Sequence, residues 1–197
     1  MVKCGVIADR GLFQLLETRL ERVMRRDTDL MPGIIEACCR IKAKVVAEDP
    51  EESNRRKVLN FGHTIAHAIE TLSGYRMAHG EAVSIGMIAE ARIAQRAGLL
   101  PAKAAERIER LLVRIGLPTS VPGPMPPEAI LAVARRDKKA RLGKITYALP
   151  ARIGAMANIR GDYSLSVEDA IALDVIEEMR QPRSRVRARL LPASPNA

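Results

Sequence analysis

With 47% hydrophobic and 28% charged side chains, the 197 residues describe a globule, large enough for one domain with a sizeable core or for two small ones. Aromatics at 3% and no Trp leave the core to Leu, Ile, Val, Ala and Met, which favours packed helices over a β-sandwich. The net charge of +9 is concentrated at one end: Arg180, Arg183, Arg185, Arg187 and Arg189 lie in a stretch without acids, leaving about +4 elsewhere. That remainder is modest for this size, and no aromatic-rich basic motif is present, so nucleic acid is not the expected partner.

The chain opens on MVKCGVIADRG, an apolar segment without a polar lead-in, as though a structural element had been cut. Asp9 then caps an amphipathic helix with Leu12, Phe13, Leu16, Leu20, Val23 and Met24 inward, ending near Arg26. Asp27 to Asp29 caps a second helix with Leu30, Ile34, Cys38, Ile41 and Val45 buried, which stops before Asp49-Pro50. Lys42 sits at the edge of that apolar face, where it either snorkels or directs its ammonium into a site. The three cysteines, Cys4, Cys38 and Cys39, form neither a disulfide framework nor a CxxC site and read as buried thiols in a reducing compartment. With no signal peptide and no apolar run near ~20 residues, the expectation is a cytoplasmic protein without a membrane partner.

Ser53 is the candidate cap of a third helix running to Ser73-Gly74, with Val58, Phe61, Ile65, Ile69 and Leu72 at helical spacing. At roughly 100° per residue, Arg56, Asn60, His63, His67 and Glu70 fall within an arc of about 80° on the opposite face. A solvated face would carry Lys, Glu and Gln there; this set suits an anion and a cation. Gly62, in the middle of the segment, implies close approach of something, a neighbouring helix or a ligand. His79-Gly80-Glu81 opens a fourth helix to Ala97, buried nearly all round because only Ser84 is polar from Ala82 to Ala89.

Pro101 starts a fifth helix closed by Gly116, and the five prolines from Leu117 to Pro127 mark a loop. A short helix from Glu128 to about Arg136, a basic turn, and two strands at Ile145–Leu149 and Ala155–Ile159 follow. A last helix is expected from Ser166 to Met179, and residues 181–197 read as a basic disordered tail. The expected fold is mainly α, a multi-helix domain over residues 1–180 with a small β-hairpin near its C-terminal end.

All three histidines, His63, His67 and His79, lie within 17 residues. Imidazole and carboxylate suit a zinc-type divalent ion, and one helical face can supply two ligands. Spacing alone does not select which two histidines bind, and Glu70 and Glu81 are either further ligands or ordinary helix carboxylates. The run Arg135, Arg136, Lys138, Lys139, Arg141 and Lys144, with Asp137 as its one acid, is a solvated turn or a phosphate clamp. A metal, several cations and no Ser or Cys nucleophile point to a small anionic substrate and proton or hydride chemistry.

LNFGHTIAHAIE followed by HGEAVSIGM resembles the signature of the 3-dehydroquinate synthase family. MVKCGVIAD, IKAKVVAEDP and RRDKK…GKITYALPARIG resemble further family segments, so the likeness covers nearly all of residues 1–180. The resemblance implies a carbon–oxygen lyase of the shikimate pathway, leading to chorismate and the aromatic amino acids. Its substrate would be a phosphosugar, 3-deoxy-arabino-heptulosonate 7-phosphate, turned into 3-dehydroquinate and phosphate with NAD and a divalent metal, zinc or alternatively cobalt. By the same resemblance His63 and His79 match metal ligands, and His67 matches a histidine that contacts substrate and relays protons. Lys42 and Arg56 match residues gripping the substrate carboxylate, Asn60 and either Lys138 or Lys139 match phosphate contacts, and Lys3 meets substrate near the metal.

The family is expected to be homodimeric. Its third metal ligand is a Glu directly before the segment that begins here at Met1, and its NAD site belongs to an N-terminal domain with no counterpart in these residues. The chain by itself is therefore expected to lack synthase activity and NAD binding. Competing readings are another sugar phosphate cyclase and a non-catalytic helical binding module that retains the fold.

Overall fold

The computed structural model describes residues 1–136 and 144–180. The expectations placed on Lys138, Lys139, Arg141 and the tail at 181–197 lie outside the described residues. Nine helices are described: α1 (Val2–Ala8), α2 (Arg10–Thr18), α3 (Leu20–Met24), α4 (Met31–Glu48), α5 (His63–Leu72), α6 (His79–Arg96), α7 (Ala102–Ile115), α8 (Pro127–Arg136) and α9 (Asp169–Arg180). A 3-10 turn at Arg55–Asn60 precedes α5. Four short strands, β1 (Thr146–Tyr147), β2 (Pro150–Arg152), β3 (Ala155–Met156) and β4 (Leu165–Ser166), lie between α8 and α9. The mainly α class with a small hairpin is as expected. Among the described residues no helix is long and apolar enough to cross a membrane.

The centre is α6. Every residue from Ala82 to Ala94 is buried, as the run of small and apolar side chains requires. It packs against α5, α7 and α9, and burying Ile85, Ile88 and Ile93 stabilises the fold by about 1.5–3 kcal/mol each. The polar residues inside this stretch are paired. Arg92 makes a two-point contact with Glu109 of α7, at 2.7 and 3.3 Å, and Ser84 donates to the Pro118 carbonyl at 2.9 Å. Fully buried Glu90 accepts from the Gly62 and Thr64 amides.

The structure adds to or changes the local expectations at several points. Residues 2–8 form a helix with Val2, Val6 and Ile7 inward, and it lies against the β2–β3 turn, where Gly154 donates to the Val6 carbonyl at 2.8 Å. The helix capped by Asp9 does begin there, with Leu12 N donating to Asp9 Oδ1 at 2.9 Å; it breaks at Arg19 (φ −116°, ψ 21°) into α2 and α3. The expected third helix is two pieces, since Gly62 has φ +83° and ends the 3-10 segment before α5 starts. A side chain on Gly86 of α6 would stand 1.9 Å from the Gly62 carbonyl oxygen, so α5 and α6 meet backbone to backbone.

Ser53 caps nothing. It is one of the donors to buried Asp49, whose carboxylate accepts from Ser53 N and Oγ, Asn54 N and Arg56 N at 2.8–2.9 Å. The Arg56, Asn54 and Ser53 donors hold the Asp49 carboxyl well below the usual carboxylate range. At the other end, β2 pairs with β3 as the hairpin while β1 pairs with β4. Ser166 belongs to β4, and α9 begins at Asp169. The thiols are less buried than expected: Cys4 and Cys38 are half-buried and Cys39 is exposed.

Candidate active site

The fold brings the three histidines together. His63 is the first residue of α5, His67 follows one turn later, and His79 is the first residue of α6. Ring centroids are 5.3 Å apart for His63 and His79, 5.5 Å for His63 and His67, and 6.5 Å for His67 and His79. The close α5–α6 contact at Gly62 and Gly86 makes this possible: it lays the start of α5 against the middle of α6, while Glu70, late in α5, meets His79 at the start of α6.

Two of the rings are oriented by protein acceptors. His63 Nδ1 lies 3.2 Å from the Phe61 carbonyl, and a carbonyl only accepts, so Nδ1 carries the proton and Nε2 is the lone-pair nitrogen. Lys3 of α1 places Nζ 3.4 Å from that Nε2 and donates to the Leu59 carbonyl at 2.8 Å. Burial, then the Lys3 charge, pushes the His63 imidazole down to about 4; burial also lowers the Lys3 ammonium. His79 Nδ1 donates to Glu70 Oε1 at 2.9 Å, again leaving Nε2 outward. The sequence left Glu70 and Glu81 open as ligands or helix carboxylates. Glu70 is the acceptor that orients His79, and Glu81 caps α6, taking the Ala78 amide at 3.2 Å.

The remaining residues arrive from other elements. Lys42 is exposed on α4, close enough for its charge to depress the Lys3 ammonium. Arg56 and Asn60 sit on the 3-10 turn, so the stripe read along one helix is not continuous; the break at Gly62 separates them from α5. Arg56 Nη1 donates to the Pro50 carbonyl at 2.7 Å, and Asn60 Nδ2 donates to Glu52 Oε1 at 2.7 Å. Glu52 has φ +57° in the Asp49-anchored loop and escaped the sequence reading, because nothing in its spacing couples it to Asn60.

His67 lines a cavity of about 530 Å³ with Thr64, Glu70, Tyr75 and Arg136. Lys3, His63 and His79 border a second cavity of about 360 Å³, walled by apolar side chains including Leu16, Leu20, Met87 and Leu112. Among the described residues no group of three or more His, Cys, Asp or Glu side chains is arranged to hold a metal ion. What the site offers is two oriented imidazoles, a third in the wall of a cavity it shares with Glu70 and Arg136, and a partly desolvated ammonium.

Comparison with known proteins gives the family. A family model described as 3-dehydroquinate synthase C-terminal matches residues 1–140. The 3-dehydroquinate synthase of Desulforamulus reducens is 41% identical over 179 residues, which is 90% of this chain and 48% of that protein. That of Citrifermentans bemidjiense is 44% identical over 156 residues, 79% of this chain and 43% of the relative. Among solved structures, 2-deoxy-scyllo-inosose synthase complexed with carbaglucose-6-phosphate, NAD+ and Co2+ is 28% identical with a TM-score of 0.66, covering 77% of this chain and 41% of that one. The 2-epi-5-epi-valiolone synthase ValA from Streptomyces hygroscopicus, with NAD+ and Zn2+ bound, shares the fold at a TM-score of 0.74 and 21% identity, covering 90% of this chain and 48% of that one. The chain spans about half the length of the curated relatives it matches. With its helical fold, its histidine cluster and this matching stretch, the chain belongs to the 3-dehydroquinate synthase family.

Proposed function

We propose that these residues form the metal- and substrate-handling half of a cytoplasmic, homodimeric 3-dehydroquinate synthase, an NAD- and metal-dependent lyase of the shikimate pathway. It would convert 3-deoxy-arabino-heptulosonate 7-phosphate into 3-dehydroquinate and phosphate. The observation that most supports this reading is the convergence of three imidazoles, 5.3–6.5 Å apart, beside Lys3.

The donor set fits a divalent ion as far as it goes. His63 and His79 each commit Nδ1–H to a protein acceptor, so each has Nε2 for zinc or cobalt. When bound, such an ion polarises a substrate oxygen as a Lewis acid. Two imidazoles alone hold it weakly, since affinity rises with ligand count. Lys42 and Arg56 would grip the substrate carboxylate through charge-assisted hydrogen bonds. Asn60, with Lys138 or Lys139, would hold the phosphate, and Asn60 must then exchange its contact to Glu52 for the phosphate oxygen. His67, in the wall of the larger cavity, would accept and return the proton moved during phosphate loss and ring closure. Lys3 would meet the substrate beside His63, its lowered ammonium basicity making it a better proton donor than an exposed lysine.

The test is a chimaera in which residues 1–180 replace the matching half of the Desulforamulus reducens relative, assayed for phosphate release with NAD+ and Zn2+. Release that is lost on His67→Ala supports the assignment. A chimaera that folds and binds NAD+ but releases no phosphate overturns it. The 197 residues alone should neither turn over nor bind NAD+, and appreciable turnover would sink that part. A second reading, another sugar phosphate cyclase, draws on the 28% identity to 2-deoxy-scyllo-inosose synthase. Lys42 and Arg56 disfavour it, because a substrate without a carboxylate leaves both cations without a partner.

A further inference from the structure

Glu90 is fully buried in α6, 28 positions beyond Gly62, and no role in binding or chemistry falls to it above. Its two oxygens are divided between backbone donors on either side of His63: Oε2 takes the Gly62 amide at 2.7 Å, and Oε1 takes the Thr64 amide at 3.1 Å. The Gly62 N–H belongs to the Phe61–Gly62 peptide unit, and the carbonyl of that same unit accepts from His63 Nδ1 at 3.2 Å. The chain has no cis peptide bond among its described residues, so the N–H and C=O of this unit point in opposite directions across one rigid plane. Fixing one end fixes the other.

We propose that Glu90 is a positioning residue for His63, acting through the Phe61–Gly62 peptide plane. Something must hold that plane. Gly62 sits at φ +83°, where a glycine turns with little steric resistance. Glu90 supplies the restraint from a helix packed directly against α5. The Glu90 side-chain oxygens hold the peptide, the carbonyl holds Nδ1–H, and the ring then turns Nε2 toward Lys3. Glu70 does the corresponding work for His79 by direct contact. The two candidate ligands are thus oriented by two acidic side chains, one touching its ring and one acting through a peptide bond.

The inference rests on the ligand assignment of His63 only for its purpose. Its test uses neither metal nor substrate, so it and the chimaera can fail separately. The 197-residue chain, labelled with 15N-histidine, is measured at neutral pH by long-range 1H–15N correlation. In the wild type, His63 should show one tautomer with the proton on Nδ1; a proton on Nε2 overturns the proposal at once. Glu90→Gln keeps the volume but turns an amide donor toward one of the two backbone N–H groups. Folding is checked by circular dichroism, and Glu90→Asp, which is too short to reach both amides, serves as the second variant. In either variant His63 should change from a single tautomer to a mixture while the His67 and His79 signals stay in place. Glu70→Gln should alter His79 and leave His63 alone. A folded Glu90 variant with a wild-type His63 pattern, or with all three rings shifted together, overturns the proposal.

Discussion

Two regions, the α5–α6 pair and the segment from Asp49 to Asn60, carry His63, His67, His79, Arg56 and Asn60, and they are built in opposite ways. The α5–α6 pair holds its histidines by backbone contact and buried carboxylates: Gly62 against Gly86, Glu90 on the first turn of α5, Glu70 on His79. The segment from Asp49 to Asn60 has almost no core of its own, Val58 being its one buried apolar side chain. It depends on one acid, Asp49, gathering four donors, with Glu52 and Asn60 paired across the loop. The difference fits the tasks proposed for them. Metal ligands need a fixed geometry within a fraction of an ångström, whereas cations that grip a substrate carboxylate can settle after it arrives.

Four measurements break or sharpen that contrast. The largest effect belongs to Gly86→Ala, which puts a Cβ 1.9 Å from the Gly62 carbonyl oxygen and forces α5 and α6 apart. Backbone cannot yield as a side-chain tip can, so the loss should be about 3 kcal/mol in urea unfolding, the upper end of the usual cost of overpacking. A wild-type midpoint would mean that the helices are not locked at this contact. Asp49→Ala comes next. It frees four donors, should lower the melting temperature, and should speed amide exchange at Ser53, Asn54 and Arg56 while α5 and α6 stay protected. Uniform acceleration across both regions would erase the distinction.

A smaller, pH-dependent effect follows from His63. Its folded value is lowered from 6.5 to about 4, so protonation favours the unfolded chain. Its contribution is complete above pH 6.5 and declines as pH falls toward 4, below which both states are protonated. Melting temperatures of the wild type should therefore fall more steeply between pH 6.5 and 4 than those of His63→Asn; parallel curves would contradict this. The smallest effect belongs to Arg40→Ala. Arg40 faces Glu36 at 3.6 Å with both side chains about 70% exposed, so stability should change by no more than about 0.5 kcal/mol. A larger loss would mean that α4 has a packing role its exposure hides.

The sequence by itself determined the helical class, the all-round burial of α6, the boundaries of α6 and α7, and the grouping of three histidines. Each is a local property: an apolar run, a period of 3.6, a cap, a spacing within one segment. The resemblance in LNFGHTIAHAIE and HGEAVSIGM then pointed to the family that the matching stretch assigns. Only the tertiary structure decided the break at Gly62, which moved Arg56 and Asn60 off the histidine helix. It also decided that Glu70 meets the His79 ring, that Asp49 rather than Ser53 organises the following loop, and that Glu90 reaches Gly62. Periodicity reports which face of a helix is apolar; it carries no record of which buried carboxylate meets which amide 28 positions away. Those pairings depend on how closely two helices approach, and here that distance is set by one pair of glycines.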